Sequence, residues 1–217
     1  MAIPTPTPGP GPEQPVRLVP PVAEPAAAAP APSMVGFPSF LVGAVTIAMV
    51  LIGVVPATAV GASMPIVLAA AAGMFLATIW SARIGDNASA GISCIVGSFY
   101  LSYALLVLGL VHNWFGIAPT AVEDTQKVFT IAWITILTVL VLAVLRLPSI
   151  FLLMFTLVDV SLVFNLLGII QTSANLTKAS GWALMAVGAI VVYLFLGTVS
   201  HITGGREFPL GRPVLHA

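Results

Sequence analysis

Charged residues and cysteine are scarce in this sequence. Asp, Glu, Lys and Arg make up only 6% of its 217 residues, against about 25% in a typical soluble domain. Seven acidic and seven basic side chains are too few to cover a soluble enzyme or to form a nucleic-acid-binding patch. The single cysteine, Cys94, excludes an intrachain disulfide and a cysteine-based zinc site. Since 59% of the residues are apolar, the composition predicts an all-α, multi-pass membrane protein.

The first 33 residues differ in composition from the rest of the chain. They contain eleven of the 18 prolines, interspersed with alanine, glycine and threonine. Proline lacks an amide N–H and disfavours helix at the residue before it, so we predict that residues 1–33 form a disordered cytoplasmic tail. This stretch has neither the basic start nor the apolar core of a signal peptide. The tail is either a proline-rich docking segment or an inert solvated one.

Six apolar runs follow, separated by short segments that are polar or favour turns. A membrane-spanning helix needs about 20 apolar residues, and each run is long enough to cross a membrane. The predicted spans are 35–56, 62–83, 88–112, 127–146, 148–170 and 179–202. We therefore expect a six-helix transmembrane domain over residues 34–203, followed by a cytoplasmic C-terminal tail over residues 204–217.

Lys and Arg are distributed unequally between the two sides of such a bundle. Both termini share one side with the second and fourth loops, and that side holds Arg17, Arg83, Arg146, Arg206 and Arg212. The opposite side holds only Lys127 and Lys178. Positive charge marks the cytoplasmic side. We therefore predict an inner or plasma membrane protein with both termini in the cytoplasm.

Small residues recur at every fourth position in the second and third spans. They are Ala69, Gly73 and Ala77, followed by Ser89, Ser93 and Gly97. Stripes of this kind let helices approach closely in lipid, where packing drives association. We predict that both helices lie at the centre of the protomer or at a subunit contact, in a compact bundle that can form oligomers.

Asp159 is the one acid near the centre of a span. An ionised carboxylate at this depth costs about 2.5–3.5 kcal/mol, so it must face a wet cavity, find a partner or stay protonated. Thr156 shares its helix face while Asn165 does not, and Thr135 and Thr138 are neighbours on the fourth span. We predict that Asp159, Thr156, Thr135 and Thr138 line a pore in which Asp159 carries a proton. The alternative is a neutral Asp159 that hydrogen-bonds between helices, with the threonines bonded to their own helix.

The sequence gives little support for an enzyme or a cofactor site. The stretch from Gly91 to Cys94 matches the short motif of intramembrane serine proteases, but its serine, Ser93, lies among small packing residues. His112 and His201 lie near span ends, without the spacing to another histidine or carboxylate that a metal site requires. We expect no catalytic group, metal or cofactor.

Several short motifs occur in a fixed order along the membrane region. Gly97-Ser98-Phe99-Tyr100 is similar to a Y-G-S-F-W motif, and Gly85-Asp86-Asn87 to a G-N-T turn. The others are Pro38, Leu41 and Gly43, then Trp133 and Leu145-Arg146, and finally Gly181-Trp182, Tyr193, Gly197, Gly205-Arg206, Pro209 and Gly211. Together they resemble the acetate/succinate transporter family, the YaaH- or SatP-like proteins, over residues 38–214.

The resemblance implies a six-helix protomer that encloses its own pore and usually assembles as a homo-hexamer. Family members move acetate or succinate with protons, or let small anions pass as channels. The resemblance adds Phe99, Tyr100 and Val96 as pore residues, although Val96 stands where the family has tyrosine. Thr198 replaces an acid, Asp159 replaces a small or apolar residue, and the family's opening asparagine is missing. Two hypotheses follow: a small-carboxylate transporter, or a non-transporting accessory subunit of a larger membrane complex.

Overall fold

The computed structural model describes residue 1 and residues 31–215, so the predicted N-terminal tail lies almost entirely outside the described residues. The described part contains six long α-helices, short 3-10 turns and no β-strand. The helices are α1 (Ser33–Ile52), α2 (Val60–Arg83), α3 (Asn87–His112), α4 (Val122–Ala143), α5 (Ser149–Ile170) and α6 (Ala174–Ile202). All six are long and apolar enough to cross a membrane, which confirms the predicted all-α, six-span architecture.

The helix ends differ from the predicted spans where a helix continues beyond its apolar part. α4 begins at Val122 rather than 127, because its charged first turns are helical as well. Glu123 and Asp124 suit the positive end of the helix dipole, and the Lys127 Nζ lies 2.6 Å from the Glu123 Oε1. α1 ends before its predicted limit, because Gly53 takes a left-handed conformation with φ of 89°.

The helices form a ring in which most neighbours pack side by side. α2 packs between α1 and α3, α1 packs on α6, α6 on α5, and α5 on α4. α3 and α4 close the ring chiefly through aromatic side chains, since their backbones make few close contacts. The ring centroids of Phe99 and Trp133 lie 5.2 Å apart, and those of Tyr103 and Phe129 lie 6.3 Å apart.

Glycine allows the closest of these helix contacts. A Cβ added at Gly97 would lie 3.1 Å from the Cβ of Met74, so α3 rests directly on α2. A Cβ at Gly73 would overlap the Ser39 side chain of α1. At Gly181 it would lie 2.9 Å from the Ala48 carbonyl oxygen, where α6 meets α1. Close approach of this kind is how packing holds helices together in lipid.

The outer surface of the bundle is apolar on every side. Leu76 on α2, Leu142 on α4 and Trp182 on α6 are each 62% exposed. α4 is the most peripheral helix and buries only Thr130, Leu137 and Leu140. In water such a surface would promote association, whereas in a membrane it is covered by lipid tails or by other transmembrane helices.

The segment after α6 folds back across one end of the bundle. The Tyr193 hydroxyl donates to the Pro209 carbonyl oxygen at 2.9 Å, and the Leu215 N–H donates to the Leu145 carbonyl oxygen at 3.1 Å. The Phe208 side chain packs against Gly197. The residues of the predicted C-terminal tail up to 215 are therefore docked on the helices, at the end of the bundle where α1 begins.

Candidate functional site

Two cavities enter the helix bundle from opposite ends. The first, of about 800 Å³, lies between α1, α2, α3, α5 and α6 and is bordered by the returning C-terminal segment. The second, of about 460 Å³, lies between α1, α3, α4, α5 and α6 at the other end. Because both lie inside one ring of helices, they are the two ends of a possible path through a single protomer.

A bridge of three aromatic rings separates the cavities. Phe40 lines the first cavity and Phe99 lines the second. Tyr100 lies between them, with its ring centroid 6.1 Å from that of Phe40 and 5.9 Å from that of Phe99. Tyr100 is only 3% exposed, and its hydroxyl donates to the Phe40 carbonyl oxygen at 2.7 Å. This hydrogen bond holds the ring between Phe40 of the first cavity and Phe99 of the second.

Gly43 of α1 makes room for the Tyr100 ring. A Cβ added at Gly43 would overlap that ring, so any larger residue would displace it. Phe155 of α5, 1% exposed, lines the inner part of the first cavity. The constriction, as we call the region of Phe40, Tyr100 and Phe155 between the cavities, is thus apolar, because the hydroxyl of Tyr100 is already engaged.

The first cavity has hydroxyl groups on its wall and acids near its mouth. Ser81 and Ser93, 1% and 9% exposed, contribute from α2 and α3. The Ser81 Oγ has no hydrogen-bond partner among the residues that the structure describes. Asp86 and Glu207 are both exposed and line the same cavity. The cavity therefore offers the buried Ser81 hydroxyl, unpartnered within the described residues, and the hydroxyls of Ser89 and Ser93 in an otherwise largely apolar wall.

The second cavity carries amide and hydroxyl side chains at its outer end. Gln126, Thr130, Asn165 and Thr177 all line it. The Thr130 Oγ1 donates to the Gln126 carbonyl oxygen at 2.8 Å. From its position in the sequence, Asn165 is expected on a different face of α5 from Asp159, with no predicted role. Asn165 shares a face of α5 with Val158 and Leu162, which line the cavity too.

The polar residues predicted to line the pore occupy a different place. The Thr138 Oγ1 donates to the Asp159 Oδ2 at 3.0 Å, which brings α4 and α5 together. Thr135, Thr138 and Thr156 are exposed on the outer face of the α4–α5 pair, and Asp159 is partly buried there. None of these four residues lines either of the two cavities. The hydrogen bond joins two helices, as the alternative prediction has it, but Asp159 accepts it and Thr138 is bonded to Asp159 rather than to its own helix.

The other predicted residues lie inside the bundle. Phe99 lines the second cavity and Tyr100 forms the constriction, while Val96, 5% exposed, belongs to the buried core. Ser89 and Ser93, predicted as packing residues, line the first cavity. Gly73 and Gly97 form helix contacts, as described above. Phe99 of α3 therefore lines a cavity, whereas the predicted polar residues Thr135, Thr138, Thr156 and Asp159 do not.

The described residues contain no group of three or more His, Cys, Asp and Glu side chains that could hold a metal ion. His112 stacks on Trp114 with ring centroids 5.6 Å apart. The His201 Nδ1 lies 3.4 Å from the Glu207 Oε1, where α6 ends. Both histidines are thus at helix ends, as expected from the sequence.

Comparison with known proteins gives a family and a fold. The bacterial acetate channel SatP has a similar structure, with a TM-score of 0.72 and 18% sequence identity, covering 83% of this chain and 98% of that one. At this identity the likeness shows a shared fold. No curated protein matches the sequence. The pattern of the GPR1/FUN34/yaaH family matches residues 12–204. The chain therefore belongs to the GPR1/FUN34/yaaH family, the acetate transporter family that its motifs resemble.

Proposed function

We propose that this protein is a membrane channel or transporter for small carboxylates such as acetate. The observation that carries the proposal is the pair of cavities that approach each other from opposite ends of one helix ring. Family membership and the fold shared with an acetate channel support it. The cargo would pass through each protomer rather than between subunits.

The constriction at Tyr100 explains how such a path would select its cargo. Its lining is apolar and almost fully buried, so hydrated ions would lose their water there without gaining partners. A short carboxylate has an alkyl part that can contact aromatic rings and a head group that needs few donors. Passage requires the Tyr100 ring to move away from the Phe40 carbonyl oxygen, which makes that hydrogen bond the closing contact of the gate.

Finer features of the function are further proposals. The end of the bundle that holds the first cavity carries Arg83, Arg146 and Arg206. Because positive charge marks the cytoplasmic side, this favours a cytoplasmic location for that end. The broad apolar outer surface fits a homo-oligomer such as a hexamer. Uptake of succinate and coupling to protons are properties to be measured alongside acetate flux. Asp159 lies beside the path, so a proton that it carries would not follow the two cavities.

The alternative is a non-transporting accessory subunit of a larger membrane complex. The observation that favours it is the exposed outer face of α4, where Val128 is 70% and Leu142 is 62% exposed. A partner helix could cover this face. Such a subunit would co-purify with partners and would show no flux of its own.

Uptake by purified protein in proteoliposomes separates the two proposals. Labelled acetate, succinate and lactate would each be offered to liposomes with and without an inward proton gradient, and empty liposomes correct for diffusion of the neutral acids. Acetate uptake above the empty liposomes is expected. The carboxylate proposal fails if none of the three acids enters faster than in empty liposomes. Dependence on the gradient would establish coupling to protons.

A further inference from the structure

Ser81 has a buried hydroxyl whose hydrogen-bonding capacity is unused. Several hydroxyls of the helices donate to a carbonyl one turn earlier, as Thr78 does to Met74 at 2.9 Å and Ser39 does to Val35 at 2.8 Å. The Ser81 Oγ makes no such bond and has no partner within the described part of the chain. A buried donor without a partner destabilises the fold. A ligand in the adjacent cavity would supply the missing partner once the Ser81 side chain turns towards it.

Ser81 lines the first cavity close to the end of α2. Met74, Ala77 and Ser81 all line the cavity and follow one another along a single face of α2. Ser81 lies nearest the end of that helix, next to the turn that holds Asp86. Met74 lies deeper and shares the inner wall with Phe40. A carboxylate at Ser81 would therefore direct its alkyl chain towards apolar side chains.

The charge of the wall does not favour a second carboxylate. Asp86 and Glu207 carry the acidic groups of the cavity, and no Lys or Arg is among the described residues that line it. The Asp86 carboxylate is held by the Ser89 N–H at 3.1 Å, and Glu207 faces His201. With one carboxylate of a dicarboxylate at Ser81, the second carboxylate would either face these acids or lie in the apolar part of the cavity without a donor. Repulsion by like charge makes the first placement unfavourable, and loss of hydration makes the second unfavourable.

We infer that the Ser81 hydroxyl binds the single carboxylate of a small monocarboxylate in the first cavity, and that this site discriminates against dicarboxylates. This inference rests on the proposed function and names its substrate class. The binding group is one neutral donor, and selectivity comes from the apolar wall on one side and the acids on the other. Acetate and its short homologues fit the site, and succinate does not.

Protection of a cysteine at position 81 tests the location of the site. The variant Ser81→Cys would be made in a Cys94→Ala background, because Cys94 is exposed and would react as well. The purified full-length protein in detergent would be treated with methyl methanethiosulfonate. We expect acetate to slow modification of the new thiol, while succinate at the same concentration leaves the rate unchanged. Equal protection by both acids would overturn the predicted selectivity.

The affinity of two matched variants tests the role of the hydroxyl. Ser81→Ala and Thr78→Val each remove one hydroxyl from α2, but the Thr78 hydroxyl is bonded to its own helix and Thr78 does not line the cavity. Acetate binding would be titrated by saturation-transfer NMR. We expect Ser81→Ala to weaken binding about tenfold, as for one hydrogen bond to a charged group, and Thr78→Val to leave it unchanged. Thermal unfolding in detergent would show that both variants are folded.

The outcomes distinguish this inference from the proposed function. If the Ser81→Ala protein binds acetate as tightly as Thr78→Val and takes it up normally in proteoliposomes, Ser81 is not the binding group and the transport proposal stands. If acetate protects the cysteine at position 81 but no carboxylate enters proteoliposomes, the binding site stands and the transport proposal fails. Absence of protection by acetate would overturn the inference.

Discussion

At the scale of single residues, Asp159 shows how the same side chain can suit two roles. Its position at the centre of a span suggests a proton carrier, yet the structure pairs it with Thr138 on the outer face of the bundle. Its Oδ1 is buried and has no partner among the described residues. A carboxyl that is protonated and hydrogen-bonded is tolerated in such a place, whereas an ionised one is costly. We therefore assign Asp159 to packing between α4 and α5.

Substitutions at Asp159 and Thr138 should affect stability more than transport. Asp159→Asn keeps an oxygen that accepts from Thr138, so acetate uptake should stay within about twofold of the unmodified protein. Thr138→Val leaves the acid without a partner and should lower the free energy of unfolding by about 1–3 kcal/mol. Thr135→Val is the control, since the Thr135 hydroxyl donates to its own helix at Ile131. Thermal unfolding and proteoliposome uptake measure the two effects.

Loss of gradient-driven uptake in Asp159→Asn, with stability unchanged, would contradict this assignment. Asp159 would then be the proton site, as the sequence suggests, and the proton would take a route beside the two cavities. A matching loss in Thr138→Val would place both residues on that route.

At the scale of helices, glycine contacts fix how the elements pack. The contact of α6 with α1 at Gly181 is against backbone atoms, since an added Cβ would lie 2.9 Å from both the Ala48 carbonyl oxygen and the Ile52 nitrogen. Backbone atoms of a packed helix cannot move aside as a flexible side chain can. The spacing of these two helices therefore depends on the absence of a side chain at Gly181.

Alanine at Gly181 should loosen this contact, whereas alanine at Gly91 should not. A Cβ at Gly91 meets no atom within 4 Å, so Gly91→Ala should gain up to about 1 kcal/mol from its better helix propensity. Gly181→Ala should lose about 1–3 kcal/mol through overpacking. Unfolding of both variants in the same detergent measures the difference. Equal stabilities would show that α1 and α6 do not touch at Gly181.

At the scale of the whole molecule, the sequence predicts the number of helices and the family well. It predicts less well which residues face the inside of the bundle. Runs of about 20 apolar residues reveal spans because lipid requires them, and the ordered glycine and aromatic motifs reveal the family. The order of these motifs also predicts Phe99 and Tyr100 as pore residues. Phe99 lines the second cavity and Tyr100 packs between Phe40 and Phe99, while their role in a pore stays a prediction.

The inner polar residues could not be separated from the outer ones by pattern alone. α5 is apolar around most of its circumference, so periodicity does not show whether Asp159 or Asn165 points inward. The structure places Asn165 on the inner side and Asp159 near the outer face. The sequence does not single out Ser81 either, because serine is common near the end of a span. Only the structure shows that its hydroxyl has no partner among the described residues.

The central claim is that cargo passes inside each protomer through the constriction at Tyr100. The most direct test is the ratio of butyrate to acetate uptake in proteoliposomes that contain Tyr100→Leu. Tyr193→Phe is the control, because its hydroxyl bonds to the Pro209 carbonyl oxygen and neither residue lines a cavity. We predict that Tyr100→Leu raises the ratio severalfold and that Tyr193→Phe leaves it unchanged. An unchanged ratio in a folded, active Tyr100→Leu protein would contradict the claim.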